Sequence, residues 1–170
     1  MVVMFFTDLN YGNHISGLRI NNETVEYGVV NEREVRVVAG IMFAIGLIAM
    51  MLVLVGGYRE LLFIVVPLFW LEFGLKAFLG PSKSILAIIT RPLINHQIPE
   101  YVGAIQKRFA WTLGFVMASV MLALVFGGYV GWIALSICIT CLTLMWLESA
   151  AGICLGCMMY KRIFRNNKSV

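Results

Sequence analysis

Charge is scarce in this chain. Lys, Arg, Asp and Glu make up 13% of its 170 residues, against 61% apolar residues, where an ordinary soluble domain is about half apolar. That imbalance excludes a conventional water-soluble core. Cysteine is also scarce, and all four cysteines fall between positions 138 and 157. A secreted disulfide framework spreads its cysteines through loops, so that class is excluded too. The two histidines, His14 and His96, stand apart with no clustered ligands. They read as a solvated residue and a hydrogen-bonded loop residue. The first residues lack a basic segment and a small-residue cleavage site, so no secretory signal is expected. Two Asn-x-Ser/Thr matches, at Asn22 and Asn167, are short enough to arise by chance.

Long apolar runs are abundant. A spanning helix needs roughly 20 apolar residues, and four such runs fit. The expected fold class is therefore all-α: a polytopic membrane four-helix bundle, with helices about 35–57, 61–79, 108–127 and 130–160. Residues 1–30 form a short polar segment in which 18–20 and 24–27 flank Asn21-Asn22, a pattern for a small hairpin. Asn31 and Glu34 fit a capping box before helix one. Gly40 with Ala44, and Gly114 with Ala118, give small faces for close helix packing. Pro67 is expected to kink helix two. Between helices two and three, residues 84–91 are apolar but too short to span, so they read as an interfacial segment. Pro99 suits the first turn of helix three. Residues 161–170 are a basic tail.

An even number of spans puts both termini and the 80–107 loop on one side. That side holds Arg19, Arg33, Arg36, Lys83, Arg91, Lys107, Arg108, Lys161, Arg162, Arg165 and Lys168, and the other holds Arg59. The lysine and arginine bias then predicts both termini in the cytoplasm. No nucleic-acid motif accompanies these charges, so membrane lipid head groups are the expected partners and nucleic acid is not.

Charges within spans are costly and mark sites. Glu72 and Lys76 lie four apart and share a helix face. Counted from the far side at about 1.5 Å per residue, Lys76 lies roughly 24 Å deep and Glu148 roughly 27 Å. The expectation is one polar cluster of Glu72, Lys76 and Glu148. Cys138-Ile-Thr-Cys141 lies mid-membrane, about 20 Å from Cys154 along a straight helix. The pairs therefore cannot close one four-cysteine zinc site, and no metal or cofactor is expected. Cys138 and Cys141 read as packing residues. Cys154-Leu-Gly-Cys157 lies at the membrane boundary, where its spacing permits a disulfide, a persulfide relay or a shared metal. A helix C-terminus disfavours thiolate, but Gly152 could break the helix and present a fresh N-terminus. Lys161, one turn past Cys157, selects Cys157 as the faster-reacting thiol.

Three stretches, Val30-Asn-Glu-Arg-Glu-Val-Arg36, Gln97-Ile-Pro-Glu-Tyr-Val-Gly-Ala-Ile-Gln-Lys-Arg-Phe-Ala-Trp111 and Glu148-Ser-Ala-Ala-Gly-Ile-Cys-Leu-Gly-Cys157, resemble the uncharacterised bacterial integral membrane family catalogued as domain of unknown function 4395. The resemblance covers about 30–160. It implies a bacterial inner-membrane protein with the Gly-Ile-Cys-Leu-Gly-Cys segment as signature, and thioredoxin-like or rhodanese-like cytoplasmic partners. It implies no settled activity. The expected function is thiol or sulfur exchange through the catalytic residues Cys154 and Cys157, with Glu148 beside them and Glu72 and Lys76 in a supporting polar cluster, tuning the pair or relaying protons. The competing readings are a small transporter for an anion and a structural membrane protein. A quinone-linked disulfide enzyme ranks below the thiol reading, because such chemistry faces the oxidising side. Whether the chain forms a homo-oligomer stays open at this stage.

Overall fold

The computed structural model describes residues 11–12, 19–20, 23–24, 28–94 and 96–164. His14, Arg165 and Lys168 lie outside the described residues. The hairpin near the start is present as β1 (Arg19–Ile20) and β2 (Glu23–Thr24), paired antiparallel, two residues a side.

Among the described residues, four helices are long and apolar enough to cross a membrane. The first, α1 (Glu32–Gly56), starts where Asn31 caps it. The Asn31 side-chain oxygen accepts the Arg33 N–H at 3.2 Å, satisfying one of the donors a helix start leaves free. Glu34 does not close the expected box. Its carboxylate goes to Arg91 instead, at 3.2 Å. Gly57, at φ 70°, ends the helix in the left-handed conformation that glycine adopts without strain. A 3₁₀ turn, Arg59–Leu61, opens the second span, which continues as α2 (Leu62–Gly74) and a wide π-type turn, Leu75–Leu79. The interfacial segment is α3 (Ile85–Ile94), a helix of 10 residues. The third span is α4 (Ala104–Phe126), and the fourth is α5 (Trp132–Trp146) with a second wide turn, Leu147–Ala151.

Three expectations need correction. Pro99 does not start a helix. It precedes β4 (Tyr101–Gly103), and α4 begins at Ala104. That strand pairs antiparallel with β3 (Val29–Asn31), a short ladder between segments about 70 residues apart. Its second strand feeds directly into a spanning helix, just as its first feeds α1. The fourth helix is not continuous to 160. It breaks at Gly152 (φ 66°), and a separate helix, α6 (Leu155–Phe164), follows. Finally, Ala44 is exposed on the bundle surface and takes no part in the packing face expected with Gly40.

The spans alternate in direction, so the β3–β4 ladder, α3 and α6 gather at one end of the bundle. The glycine turns at Gly57 and Gly128 lie at the other. Within the bundle α2 packs on α4, and α1 on α5. Gly114 lets Phe73 approach so closely that an added Cβ would stand 2.7 Å from its ring. Gly46 does the same for Leu142, again at 2.7 Å. Large apolar side chains such as Val55, Ile64 and Ile133 project outward, more than half exposed. In water such a surface would aggregate. In a bilayer it faces acyl chains, and the driving force for helix contact becomes close packing by small residues. The protein is a multi-pass membrane protein.

Candidate functional site

The boundary cysteines owe their setting to two glycines. Gly152 stops the fourth span, and both its own N–H and that of Ile153 return to the Leu147 carbonyl, the latter at 3.1 Å. The chain then restarts as α6, with Cys154 at the capping position. The Cys154 carbonyl accepts the first helical bond, from Met158 N–H at 3.1 Å, and its Sγ accepts the Cys157 N–H at 3.2 Å. That is the pattern of an N-cap side chain bonding the third residue of its helix, with sulfur in place of oxygen. Gly156 seats the helix on the bundle. A Cβ there would lie 2.8 Å from the Cα of Ala110 in α4, a backbone collision that no rotamer relieves. The Cys154 and Cys157 sulfurs lie at disulfide distance, with Cα atoms 5.2 Å apart. Cys157 is buried, at 9% exposure, and Cys154 is half-buried. The pair thus sits at a helix N-terminus, where the dipole and free N–H groups favour thiolate. Lys161 lies one turn past Cys157 in the same helix and is exposed, while Cys154 occupies the capping position.

Glu148 lies in the wide turn one step before this pair. Its carboxylate meets Lys107 Nζ at 2.8 Å, and Glu32 lies 3.7 Å from the same nitrogen. Lys107 is 3% exposed, so one buried cation joins the starts of α1 and α4 to the end of the fourth span. Glu72 and Lys76 form a second, separate pair at 3.1 Å, with Glu72 1% exposed. Glu72 is heavily engaged. Ser84 donates its hydroxyl to Oε1, and the N–H groups of Ile85 and Leu86 approach Oε2 at 3.2 and 3.5 Å. The acid therefore caps α3 and binds the second span to the interfacial helix. The three residues expected as one cluster divide between these two ion pairs, with Glu148 near enough for its charge to act on Lys76.

Sequence reasoning missed Lys107 as the partner of Glu148, and Glu32 as the second acid on that lysine. Lys107 stood out as a topology charge, but nothing local links it to an acid 41 positions later. Arg108 was missed likewise. It is buried, donates to the Ala77 carbonyl at 3.0 Å and lies 4.3 Å from the Tyr11 ring centre. Tyr11 in turn donates to the Lys76 carbonyl. Burial pushes the Tyr11 hydroxyl's pKa up, with Arg108 acting in the opposite direction. Arg36 was counted for topology, yet its guanidinium stands 3.2 Å from where a Gly152 side chain would begin.

The other cysteines are in a different state. Cys138 and Cys141 are free thiols on an unbroken stretch of α5, and Cys141 Sγ lies 4.0 Å from Met117 Sδ. Among the described residues no three His, Cys, Asp or Glu side chains converge to hold a metal ion. Compared with known protein families, residues 30–165 match the model described as Domain of unknown function (DUF4395). No curated protein and no solved structure matches the chain.

Proposed function

The chain belongs to the DUF4395 family, and from that premise we propose that it is a membrane thiol protein exchanging electrons or sulfane sulfur through Cys154 and Cys157. The observation that carries the reading is the Cys157 N–H directed at Cys154 Sγ, on the first turn of a helix. In the disulfide form, a partner thiolate attacks Cys154 Sγ, the more exposed sulfur. A mixed disulfide forms and Cys157 leaves as thiolate. The partner's second thiolate then attacks its own bridged sulfur, so the partner leaves oxidised and Cys154 is released as thiolate, held by the Cys157 N–H. The Lys107–Glu148 pair beside it supplies a fixed charge and a carboxylate able to exchange protons. Glu72 and Lys76 support the scaffold.

The lysine and arginine bias supports a cytoplasmic position for this end, and the family resemblance supports a bacterial inner membrane and a thioredoxin-like or rhodanese-like partner. The small-anion transporter gains less support, because Glu72 and Lys76 are occupied by each other and by α3. The test has two parts. Reporter fusions after residue 170 and at Tyr129 should report opposite faces, the former cytoplasmic. A thiol-alkylating reagent applied to reduced inside-out vesicles should label Cys154 first and spare Cys138 and Cys141. Failure of Cys154 and Cys157 to label at all in the folded, reduced protein removes the reading.

A further inference from the structure

The four spans line a partly open cavity of about 440 Å³, within the size range of ligand sites. It runs from Trp132, at the end of the bundle remote from the disulfide, to Phe73, Met117, Cys141 and Met145 near the middle, and its lining is almost wholly apolar. A second hollow, of about 110 Å³, begins at those same four residues and ends at Glu148, Cys154, Leu155 and Gly156. The two therefore adjoin, an apolar space with a narrower reactive end. The break at Gly152 makes this possible, because it turns α6 back against α4 and brings Cys154 to the hollow that Cys141 also lines.

We propose that these joined hollows bind a prenylated quinone, with its tail in the larger apolar space and its ring at Cys154. This rests on the thiol reading and names the oxidant that reading needs; a prenylated quinone dissolves in the bilayer and reaches a boundary site at either face, so the chemistry is not confined to the oxidising side. Three observations favour this occupant. The large space suits a hydrocarbon tail and offers no charge. The narrow end offers hydrogen-bond donors, since the first N–H groups of α6, at Leu155 and Gly156, have no partner within their helix. Those donors and the helix dipole become more favourable as a quinone oxygen gains charge. Lastly, the disulfide-forming pair lies at that same end, where an acyl chain would find nothing to react with. The chemistry balances as a two-electron exchange. Cys154 thiolate adds to a ring carbon, forming a C–S bond. Cys157 thiolate attacks Cys154 Sγ, the S–S bond forms, the C–S bond breaks, and its electron pair passes to the ring. The two protons lost by the thiols end on the two oxygens, giving a disulfide and a quinol.

The experiment uses the full chain, reduced and freed of reductant, in phosphatidylcholine vesicles. One equivalent of a short-chain ubiquinone or menaquinone is added, and thiols are trapped by alkylation at intervals. The expected result is loss of free Cys154 and Cys157 with about one quinol formed per chain, a stoichiometry set by the two-electron couple. Leu135→Trp, which fills the large space, should slow this oxidation by roughly tenfold or more, equivalent to one decade in rate. A photoreactive quinone bound to the unmodified protein should label peptides carrying Met117 or Leu135, which keeps the test open if that variant misfolds. Exchange with a small disulfide, measured without quinone, separates the two claims. Exchange without quinol formation overturns this inference and leaves the thiol reading standing. Absence of both overturns both. Labelling confined to the outer surface of the bundle, or phospholipid that quinone does not displace from the cavity, also overturns it.

Discussion

Cys138 and Cys141 lie three residues apart on an uninterrupted stretch of α5, with side-chain surroundings of thioether and hydrocarbon. Cys154 and Cys157 have the same spacing but straddle the first turn of α6, and a backbone N–H points at the first sulfur. Spacing alone therefore says little about a CxxC motif. What separates the two pairs is whether the chain breaks just before the first cysteine. A continuous helix leaves no free N–H groups near sulfur, because each is bonded to a carbonyl four residues back. A helix that restarts leaves several. Gly152 supplies the break, and Gly156 fixes where the new helix lies.

The largest effect is expected from Gly156→Leu. The side chain would have to displace the α4 backbone at Ala110, so α6 should lift from the bundle and exchange at Cys154 should fall to background, read by alkylation mass spectrometry. Retained exchange would show that the seat of α6 is irrelevant to the contrast between the pairs.

Next is the buried cation. Lys107→Met alone leaves Glu148 and Glu32 facing each other without their shared counter-charge, and a broken buried pair costs about 3–5 kcal/mol. Combining it with Glu148→Leu should recover much of that loss in thermal unfolding in detergent. Additive losses would mean that the two residues are not coupled.

A smaller effect is expected from Gly152→Ala. A left-handed residue other than glycine costs about 1–2 kcal/mol, and the new methyl meets Arg36. The protein should remain folded while Cys154 alkylates several-fold more slowly at neutral pH, because the thiolate loses part of its support. An unchanged rate would detach reactivity from the helix break. Smallest of all, Arg33→Ala should cost no more than about 1 kcal/mol, since its partner Glu100 is solvent-exposed and such pairs contribute little. A loss comparable to that of Lys107→Met would erase the distinction between buried and surface pairs at this end of the bundle.

The spans were legible because hydropathy over 20 residues needs no tertiary information. The Asn31 cap and the Glu72–Lys76 pair were legible for a related reason, as both are set by residues within one turn. The break at Gly152 was readable only as an option, since a glycine in an apolar run looks the same whether the helix continues or stops. The choice of Cys157 rested on Lys161, one turn further along the same helix, and took no account of the capping position that the break gives Cys154. The pairing of Lys107 with Glu148 and of β3 with β4 joins residues tens of positions apart. No local pattern encodes such contacts; depth counting along straight helices brought Glu148 near Lys76, whose charge it does reach, but could not supply Lys107 as its direct partner.

The short ladder has a mechanical consequence. Its two strands run without a linker into α1 and α4, and the Asn31 side-chain oxygen also accepts the Glu100 N–H at 3.3 Å. One membrane helix thus cannot slide like a piston past the other without tearing paired backbone. The second and fourth spans are held at this end by side chains instead, Arg108 to the Ala77 carbonyl and Lys107 to Glu148. Each finishes in a wide turn whose hydrogen bonds reach one residue further than in an α-helix. Two spans are thus locked by paired backbone and two by buried side chains, and the cysteine-bearing helix continues from one of the latter. Displacing the fourth span would have to break the Lys107–Glu148 pair before it moved Cys154.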